Sequence, residues 1–264
     1  MPRTDSIVIK GLIPALGAKV EGVDFRSPIT PKIVEQIHEA WMKYQVLVFP
    51  NQCVSDEQHI AFTRYFGEPE VFHQSIIKSK FVKEIFRVSN TDEAGNLMPP
   101  SDPVQQQLSS AKKWHTDSSY RLVPAMGSLL HGIEVSRTGG LTCFTNMYAV
   151  YEALPVNMRK MIDGKKCRHD FEHLSRITGA RKPTDDERAS MPAMWQPMVR
   201  KHPVTGRKSL YISPIYNDKI EDMNDDEAMS LINELAEFAG QDQFVYRHKW
   251  ETVSYTHLTL PTKA

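Results

Sequence analysis

Short apolar runs recur along this 264-residue chain without the regular alternation of strand and helix that a parallel α/β sheet requires. An amphipathic helix is predicted over 31–44, because Thr30 can cap it and Pro31 suits its first position. A later amphipathic helix is predicted over 226–239. The predicted strands are 46–49, 128–134, 141–144 and 244–250. The pattern favours a single domain that is mainly β with flanking helices.

Local signals add detail to this expectation. Ser55 and Gln58 have the spacing of a capping box at the start of a helix. The polar, proline-containing stretch 91–111 predicts a long loop, of the kind that often forms a lid or a binding loop. The runs on either side of Gly206, within 199–212, predict a β-hairpin.

Charge and composition exclude several classes of function. Lysine plus arginine and aspartate plus glutamate both number 32, so no global basic field favours nucleic acid or an anionic membrane. The 3 cysteines, Cys53, Cys143 and Cys167, are widely separated, which argues against a disulfide framework and for the cytoplasm. No signal peptide and no transmembrane run is recognisable. The expected partner is a small-molecule substrate, with no nucleic acid and no membrane, and a homo-oligomer stays open.

The segment Trp114-His115-Thr116-Asp117-Ser118-Ser119-Tyr120 contains the strongest candidate for chemistry. If it forms a strand, His115 and Asp117 point to one face and can offer an imidazole nitrogen and a carboxylate oxygen to one metal. With a distant histidine they would form a 2-His-1-carboxylate triad, which leaves positions on iron(II) open for a keto acid and dioxygen. Such a tripeptide also occurs by chance at exposed strand ends, so the motif alone is weak.

A second candidate lies in Gly139-Gly140-Leu141-Thr142. The two glycines permit a tight turn or a close backbone approach, and the Thr142 hydroxyl can donate to a carboxylate. Taken alone, the segment is better interpreted as an ordinary junction between a loop and a strand.

Five segments, in their order and spacing, resemble the TauD/TfdA family of taurine and 2,4-dichlorophenoxyacetate dioxygenases. They are WHTDSSY (114–120), SRTGGLTCF (136–144), NMYAVYEALP (146–155), VRKHPVTGRKSLYI (199–212) and FVYRHKW (244–250). The resemblance runs from about Leu12 to Trp250, and the last two segments are most similar to the 2,4-dichlorophenoxyacetate branch.

This resemblance implies a double-stranded β-helix, or jelly-roll, core and a dioxygenase that uses Fe(II), with 2-oxoglutarate as cosubstrate and O2. His115 and Asp117 match the family's first two iron ligands, and Thr142 matches the threonine that binds a 2-oxoglutarate carboxylate. Leu141 departs from the family, in which an acidic residue is common at that position. His73 falls where some members place a histidine that contacts the substrate, and a histidine in a surface loop is an equal alternative.

Other histidines are interpreted as structural. His169 and His173 have a spacing that can bind metal, but no family motif falls there, and a solvated loop is expected. His202 belongs to a turn of the family pattern, and His248 is expected to pack on its strand.

The last residues do not continue the family pattern. The chain after Thr252 resembles a translated adapter from sequencing-library preparation, so 1–252 is interpreted as one C-terminally incomplete domain and 253–264 as a non-native tail. The family's distal iron-binding histidine and its carboxylate-binding arginines are not recognisable, and the neighbours of His257 do not fit the distal ligand. We therefore expect the 264-residue chain to be inactive.

The expected reaction of the intact enzyme is hydroxylation of a small anionic organic substrate, with release of succinate and CO2. Cleavage of an aryloxyalkanoate is favoured over oxidation of taurine or another alkylsulfonate. A non-catalytic binding protein of the same fold and a zinc hydrolase remain alternatives.

Overall fold

The structure of the chain is a computed structural model that describes residues 6–71, 82–92, 94–109 and 112–251, and the backbone of 254–259. The strands are β1 (Val8–Gly11), β2 (Ala18–Glu21), β3 (Val46–Phe49), β4 (Gly127–Gly132), β5 (Thr142–Thr145), β6 (Lys166–His169), β7 (Met194–Pro197), β8 (Val199–Lys201), β9 (Lys208–Leu210), β10 (Asn217–Ile220), β11 (Val245–His248) and β12 (Ser254–Thr259). The helices are α1 (Pro31–Tyr44), α2 (Asp56–Thr63), α3 (Pro103–Ser109), α4 (Met147–Ala153), α5 (Val156–Ile162), α6 (Phe171–Thr178), α7 (Asp185–Ser190) and α8 (Asp225–Ala239).

The strands form a core of small sheets, as the predicted fold class requires. The largest is a five-stranded sheet in the order β1-β2-β3-β12-β4, and a three-stranded sheet has the order β10-β6-β7. The pairs β11-β5 and β8-β9 are antiparallel ribbons. Within the described ranges, no helix combines the length and apolar character that crossing a bilayer needs.

Two apolar clusters fix the helices on these sheets. Helix α1 places Trp41, which is fully buried, in a cluster with Phe49 of β3 and Phe62 of α2. Helix α8 buries Leu231 and Leu235 in a second cluster, which surrounds β9 and α4. The burial of these side chains follows from their helical spacing, because residues three and four positions apart share one face.

Several local predictions are confirmed. Helix α1 spans 31–44 and strand β3 spans 46–49, as predicted. The Ser55 capping box is present, and the hairpin is formed by β8 and β9. Helix α8 begins one residue before the prediction, at Asp225.

Two predictions about loops are wrong. The stretch 91–111 is not a continuous loop, because α3 begins within it at Pro103, a suitable first helical residue. His169 and His173 do not lie in a solvated loop. His169 ends β6 with no exposed surface, and His173 lies buried in α6. Their burial depends on tertiary contacts that local polarity does not report.

Strand β4 has two faces with different neighbours. Leu129 packs against the α1 cluster, and the His131 ring meets the His59 ring of α2 edge to face, with 6.2 Å between ring centroids. Since side chains alternate along a strand, Ser128, Leu130 and Gly132 belong to the opposite face. That opposite face bears the contacts of the candidate site.

Strand β12 lies between β3 and β4 and is antiparallel to both. This strand lies within 253–264, the stretch interpreted from the sequence as a non-native tail. Its residues are rich in the β-branched and aromatic types that favour strands. The five-stranded sheet is therefore continuous only through β12. Whether this tail is native stays a prediction.

The His59–His131 contact predicts an acid-sensitive fold. Burial, followed by the nearby His131 ring, lowers the pKa of His59 from 6.5 to about 4. Below pH about 6.5 the His59 imidazole therefore binds a proton in the unfolded chain but stays neutral in the folded chain. Stability should be fully present above pH about 6.5 and should fall by about 3 kcal/mol as the pH drops towards 4.

Urea denaturation between pH 4 and 8 measures this loss, with His59→Gln as the variant. Removing the imidazole should reduce the loss of unfolding free energy between pH 8 and 4 by about 3 kcal/mol. His169, whose pKa burial lowers to about 3, should retain its own acid sensitivity in this variant. An identical slope in the wild type and in His59→Gln would contradict the prediction.

Candidate metal centre

The segment around His115 and Asp117 is an irregular turn rather than the strand that the sequence predicted. Residues 114–116 belong to no strand or helix, 117–120 form a turn, and Ser118 has a φ of 51°. The two side chains nevertheless converge, with 3.3 Å between His115 Nε2 and Asp117 Oδ1. The turn therefore brings the two side chains together, as the predicted strand was expected to do.

The turn is held at its buried residues. The Thr116 backbone N–H donates to Ser213 Oγ at 3.0 Å, and the Ser118 hydroxyl donates to Glu70 Oε2 at 2.6 Å. Arg121 forms an ion pair with the other oxygen of Glu70 at 3.0 Å. Glu70 therefore joins the chain before residue 72 to the turn that bears Asp117.

Each member of the pair is oriented by a second contact. His115 Nδ1 lies 2.9 Å from the Lys113 carbonyl oxygen, which leaves Nε2 facing Asp117. The Ser128 hydroxyl of β4 donates to Asp117 Oδ2 at 2.6 Å, which leaves Oδ1 facing His115. Such outer contacts commonly fix the orientation of metal-binding side chains.

Electrostatics couples the two groups. Burial is the largest influence on the pKa of His115 and lowers it, but the hydrogen bond and charge of Asp117 outweigh burial and raise the pKa overall. Burial also acts most strongly on Asp117 and raises its pKa, yet His115 and Ser128 together bring the pKa below its usual value. A metal ion must displace the proton that the pair shares, so acid should weaken metal binding.

The donor set suits a metal ion. Two neighbouring ligand atoms, each about 2.1 Å from one metal, lie about 3 Å apart in an octahedral or tetrahedral site, close to the separation of Nε2 and Oδ1. The side chains of His115 and Asp117 are 26% and 42% exposed, so solvent reaches part of the pair although most of its surroundings are protein atoms. Within the described ranges, no group of three or more histidine, cysteine, aspartate or glutamate side chains forms a complete metal site.

Thr142, the candidate carboxylate-binding residue, begins β5 after Gly139 and Gly140, whose φ values of +70° and +65° suit glycine. The Trp250 indole N–H donates to the Thr142 hydroxyl at 2.8 Å. Trp250 in turn lies against Gly132, the last residue of β4. No direct contact joins Thr142 to His115 or Asp117 among the described residues. Strand β4 contacts Asp117 through Ser128, and through Gly132 it contacts Trp250, the hydrogen-bond donor of Thr142.

Of the remaining candidate histidines, His73 lies outside the described residues, whereas His202 and His248 lie within them. The His202 ring is buried and its Nδ1 accepts from the backbone N–H groups of Val204 and Thr205, which agrees with a structural role. His248 is buried, and its Nδ1 lies 3.0 Å from the Tyr246 hydroxyl, as the packing interpretation expects.

The register of β12 bears on His257. Position 257 pairs with Leu129, whereas position 258 pairs with Ser128, the residue that contacts Asp117. Position 257 therefore falls on the face of the sheet opposite to the metal pair. The rejection of His257 as the distal ligand stays a prediction.

A His257→Ala variant should consequently bind metal with unchanged affinity. His115→Ala is the matched histidine variant and should lose most of its metal binding. Calorimetric titration with Mn(II) measures both. A comparable loss in the two variants would assign His257 to the metal.

Sequence reasoning missed Ser128, Glu70 and Trp250 as contacts of the candidate residues. Ser128 and Glu70 lie in segments without a recognisable motif. Trp250 belongs to a segment that resembles the family, but its contact with Thr142 spans 108 positions and leaves no local pattern.

Comparisons with known proteins match nearly the whole chain to one family. The family model described as "Taurine catabolism dioxygenase TauD, TfdA family" matches residues 9–252. An alpha-ketoglutarate-dependent 2,4-dichlorophenoxyacetate dioxygenase of Cupriavidus pinatubonensis is 32% identical over 93% of this chain and 86% of that protein. An (S)-phenoxypropionate/alpha-ketoglutarate-dioxygenase of Sphingobium herbicidovorans is 32% identical over 81% of this chain and 73% of that protein.

Among solved structures, AAD-2 in complex with Mn(II) and N-oxalylglycine superposes with a TM-score of 0.87. It is 33% identical, and the match covers 97% of this chain and 89% of that one. The double-stranded β-helix class expected from the sequence is thereby confirmed.

Proposed function

Because this chain belongs to the TauD/TfdA family of 2-oxoglutarate-dependent dioxygenases, we propose that it oxidises a small aryloxyalkanoate-type acid. Enzymes of this family use Fe(II), 2-oxoglutarate and O2. The expected products are the hydroxylated substrate, succinate and CO2, and a hydroxyl group placed beside an ether oxygen leads to cleavage of that ether.

The convergence of His115 Nε2 and Asp117 Oδ1 carries the proposal. The neutral imidazole and the carboxylate would hold Fe(II), and the metal with its cosubstrate supplies the oxidising chemistry. Ser128 keeps the Asp117 carboxylate aimed at the metal position through its 2.6 Å hydrogen bond. Thr142 would hold a carboxylate of 2-oxoglutarate through its hydroxyl group.

The named activities of the relatives support the substrate class. The proteins from Cupriavidus and Sphingobium act on 2,4-dichlorophenoxyacetate and on (S)-phenoxypropionate, which share an aryl ether and a carboxylate. His73 is proposed as a substrate contact on the basis of its position in the sequence alone.

The substrate test measures succinate formed from 2-oxoglutarate under air. It uses a chain extended after Trp250 with the C-terminal segment of a TauD/TfdA relative, because the 264-residue chain is itself proposed to turn over poorly. Phenoxyacetate, 2,4-dichlorophenoxyacetate and both enantiomers of 2-phenoxypropionate are compared with taurine and a linear alkylsulfonate. We expect succinate to depend on an aryloxyalkanoate, with the matching phenol released from phenoxyacetates. Stimulation by taurine alone would overturn the substrate class and favour the taurine branch named by the family description.

We further propose that the 264-residue chain turns over poorly, because the described residues offer two metal ligands rather than three. The comparison chain continues after Trp250 with the C-terminal segment of a TauD/TfdA relative. Equal succinate formation by the two chains would refute this proposal. Metal and 2-oxoglutarate binding without succinate formation in either chain would favour the non-catalytic alternative.

A further inference from the structure

Trp250 packs against Gly132 at the end of strand β4. A Cβ atom built on Gly132 would lie 2.9 Å from Trp250 Cε3, 3.2 Å from Val135 Cγ1 and 3.4 Å from the Glu251 carbonyl oxygen. The rigid indole and the backbone carbonyl leave no room for that atom. Glycine at 132 therefore allows the indole to approach β4 more closely than any larger residue would.

The indole fixes the hydroxyl group of Thr142. Its N–H donates to Thr142 Oγ1 at 2.8 Å, so one oxygen lone pair is occupied by a donor that cannot accept. The hydroxyl proton of Thr142 must then point away from Trp250. The neighbouring strand supports this arrangement, because His248 packs edge to face on Trp250 at 4.7 Å and pairs with Thr142 across β11 and β5.

We propose that Trp250 and Gly132 are positioning residues that commit the Thr142 hydroxyl to donating a hydrogen bond to a carboxylate of 2-oxoglutarate. The inference rests on the proposed function, because it takes the ligand of Thr142 from there. Gly132 acts through the indole, and the indole acts through the hydroxyl of Thr142. Neither side chain needs to touch the metal.

The geometry is tested first without ligand. In protein labelled with ¹⁵N at tryptophan, Thr142→Val and Gly132→Ala should each shift the indole N–H signal of Trp250, which Trp250→Phe identifies by its loss. Thr142→Ser retains the hydroxyl and should leave the signal close to its wild-type position. An unchanged Trp250 signal in Thr142→Val would overturn the proposal.

The second measurement is a titration with 2-oxoglutarate in the presence of Zn(II), a diamagnetic and redox-inert substitute for Fe(II). Trp250→Phe should weaken 2-oxoglutarate binding about 3- to 10-fold, the range expected for losing the orientation of one hydrogen bond. Zn(II) binding in the absence of 2-oxoglutarate should not change. Trp195→Phe, which alters a 45% exposed tryptophan on β7, is the matched control and should bind both normally.

The double variant separates positioning from general damage. Phenylalanine at 250 removes the ring atoms that a methyl group at position 132 would strike, so Gly132→Ala should add little further loss in the Trp250→Phe background. Additive losses would show that Gly132 acts independently of Trp250 and would overturn the proposal. Equal affinity for 2-oxoglutarate in the wild type and Trp250→Phe would overturn it as well.

The same titration separates this inference from the proposed function. If the wild type binds Zn(II) but not millimolar 2-oxoglutarate, the cosubstrate assignment of Thr142 fails, and the inference fails with it. If the wild type binds 2-oxoglutarate and the Trp250 variants bind it equally well, only the inference fails.

Discussion

An Asp117→Asn variant should bind Fe(II) or Mn(II) at least about 100-fold more weakly than the unaltered chain, since losing an outer contact alone commonly reduces metal affinity 10- to 100-fold. The substitution preserves the size of the side chain but removes the negative charge that balances the metal. An amide oxygen is also a weaker ligand than a carboxylate oxygen. Calorimetric titration with Mn(II) measures the change.

The matched control is Ser128→Ala, which retains both ligands and removes the 2.6 Å hydrogen bond to Asp117 Oδ2. Its metal affinity should fall by about 10- to 100-fold, which places it between the wild type and Asp117→Asn. Circular dichroism should show that both variants keep the fold. Metal binding by Asp117→Asn at wild-type affinity would remove Asp117 from the proposed site.

Deleting residues 253–264 should lower the free energy of unfolding by roughly 3–5 kcal/mol, since each hydrogen bond of a strand ladder contributes about 1 kcal/mol. Strand β12 pairs with β3 on one side and β4 on the other. Without it, both strands present unpaired backbone groups, and β3 is buried along its whole length. The shortened chain should therefore also associate through these edges.

Two further variants show whether backbone pairing is the cause. Thr256→Pro should resemble the deletion, because position 256 pairs with both Val48 and Leu130 and proline removes the backbone donor. Replacing 254–259 by an alternating valine–threonine sequence should preserve stability. Urea midpoints and size-exclusion profiles give the comparison, and a deletion variant as stable and monomeric as the full chain would contradict the assignment of β12.

The parts of the fold that were predicted from the sequence are those with local signals. Helix α1 has a capping threonine, a proline at its first position and a regular apolar face, all within residues 30–44. Strand β3 is a short apolar run between a helix and a turn. Helix α3 has one such signal, Pro103 at its first position, within an otherwise polar stretch. Strand β6 lacks such signals, and the burial of His169 and His173 is decided by packing that distant segments supply.

The candidate site was likewise predicted from the sequence only in part. His115 and Asp117 were identified from a tripeptide and the surrounding resemblance, although the expected strand is a turn. Their convergence depends on Ser128 and on buried contacts of Thr116, which no spacing rule reports. Their role as iron ligands, like the role of Thr142, stays a prediction until the titrations are made.

Strand β4 would make the proposed metal site at His115 and Asp117 and the proposed 2-oxoglutarate contact at Thr142 mechanically dependent on each other. Ser128 and Gly132 lie four positions apart on the same face, so one strand aligns the carboxylate of Asp117 and the indole of Trp250. A slip of β4 by a single position would turn both residues to the wrong side of the sheet together. Substitutions that shift this strand should therefore impair affinity for the metal and for 2-oxoglutarate in parallel, even when they lie far from either ligand.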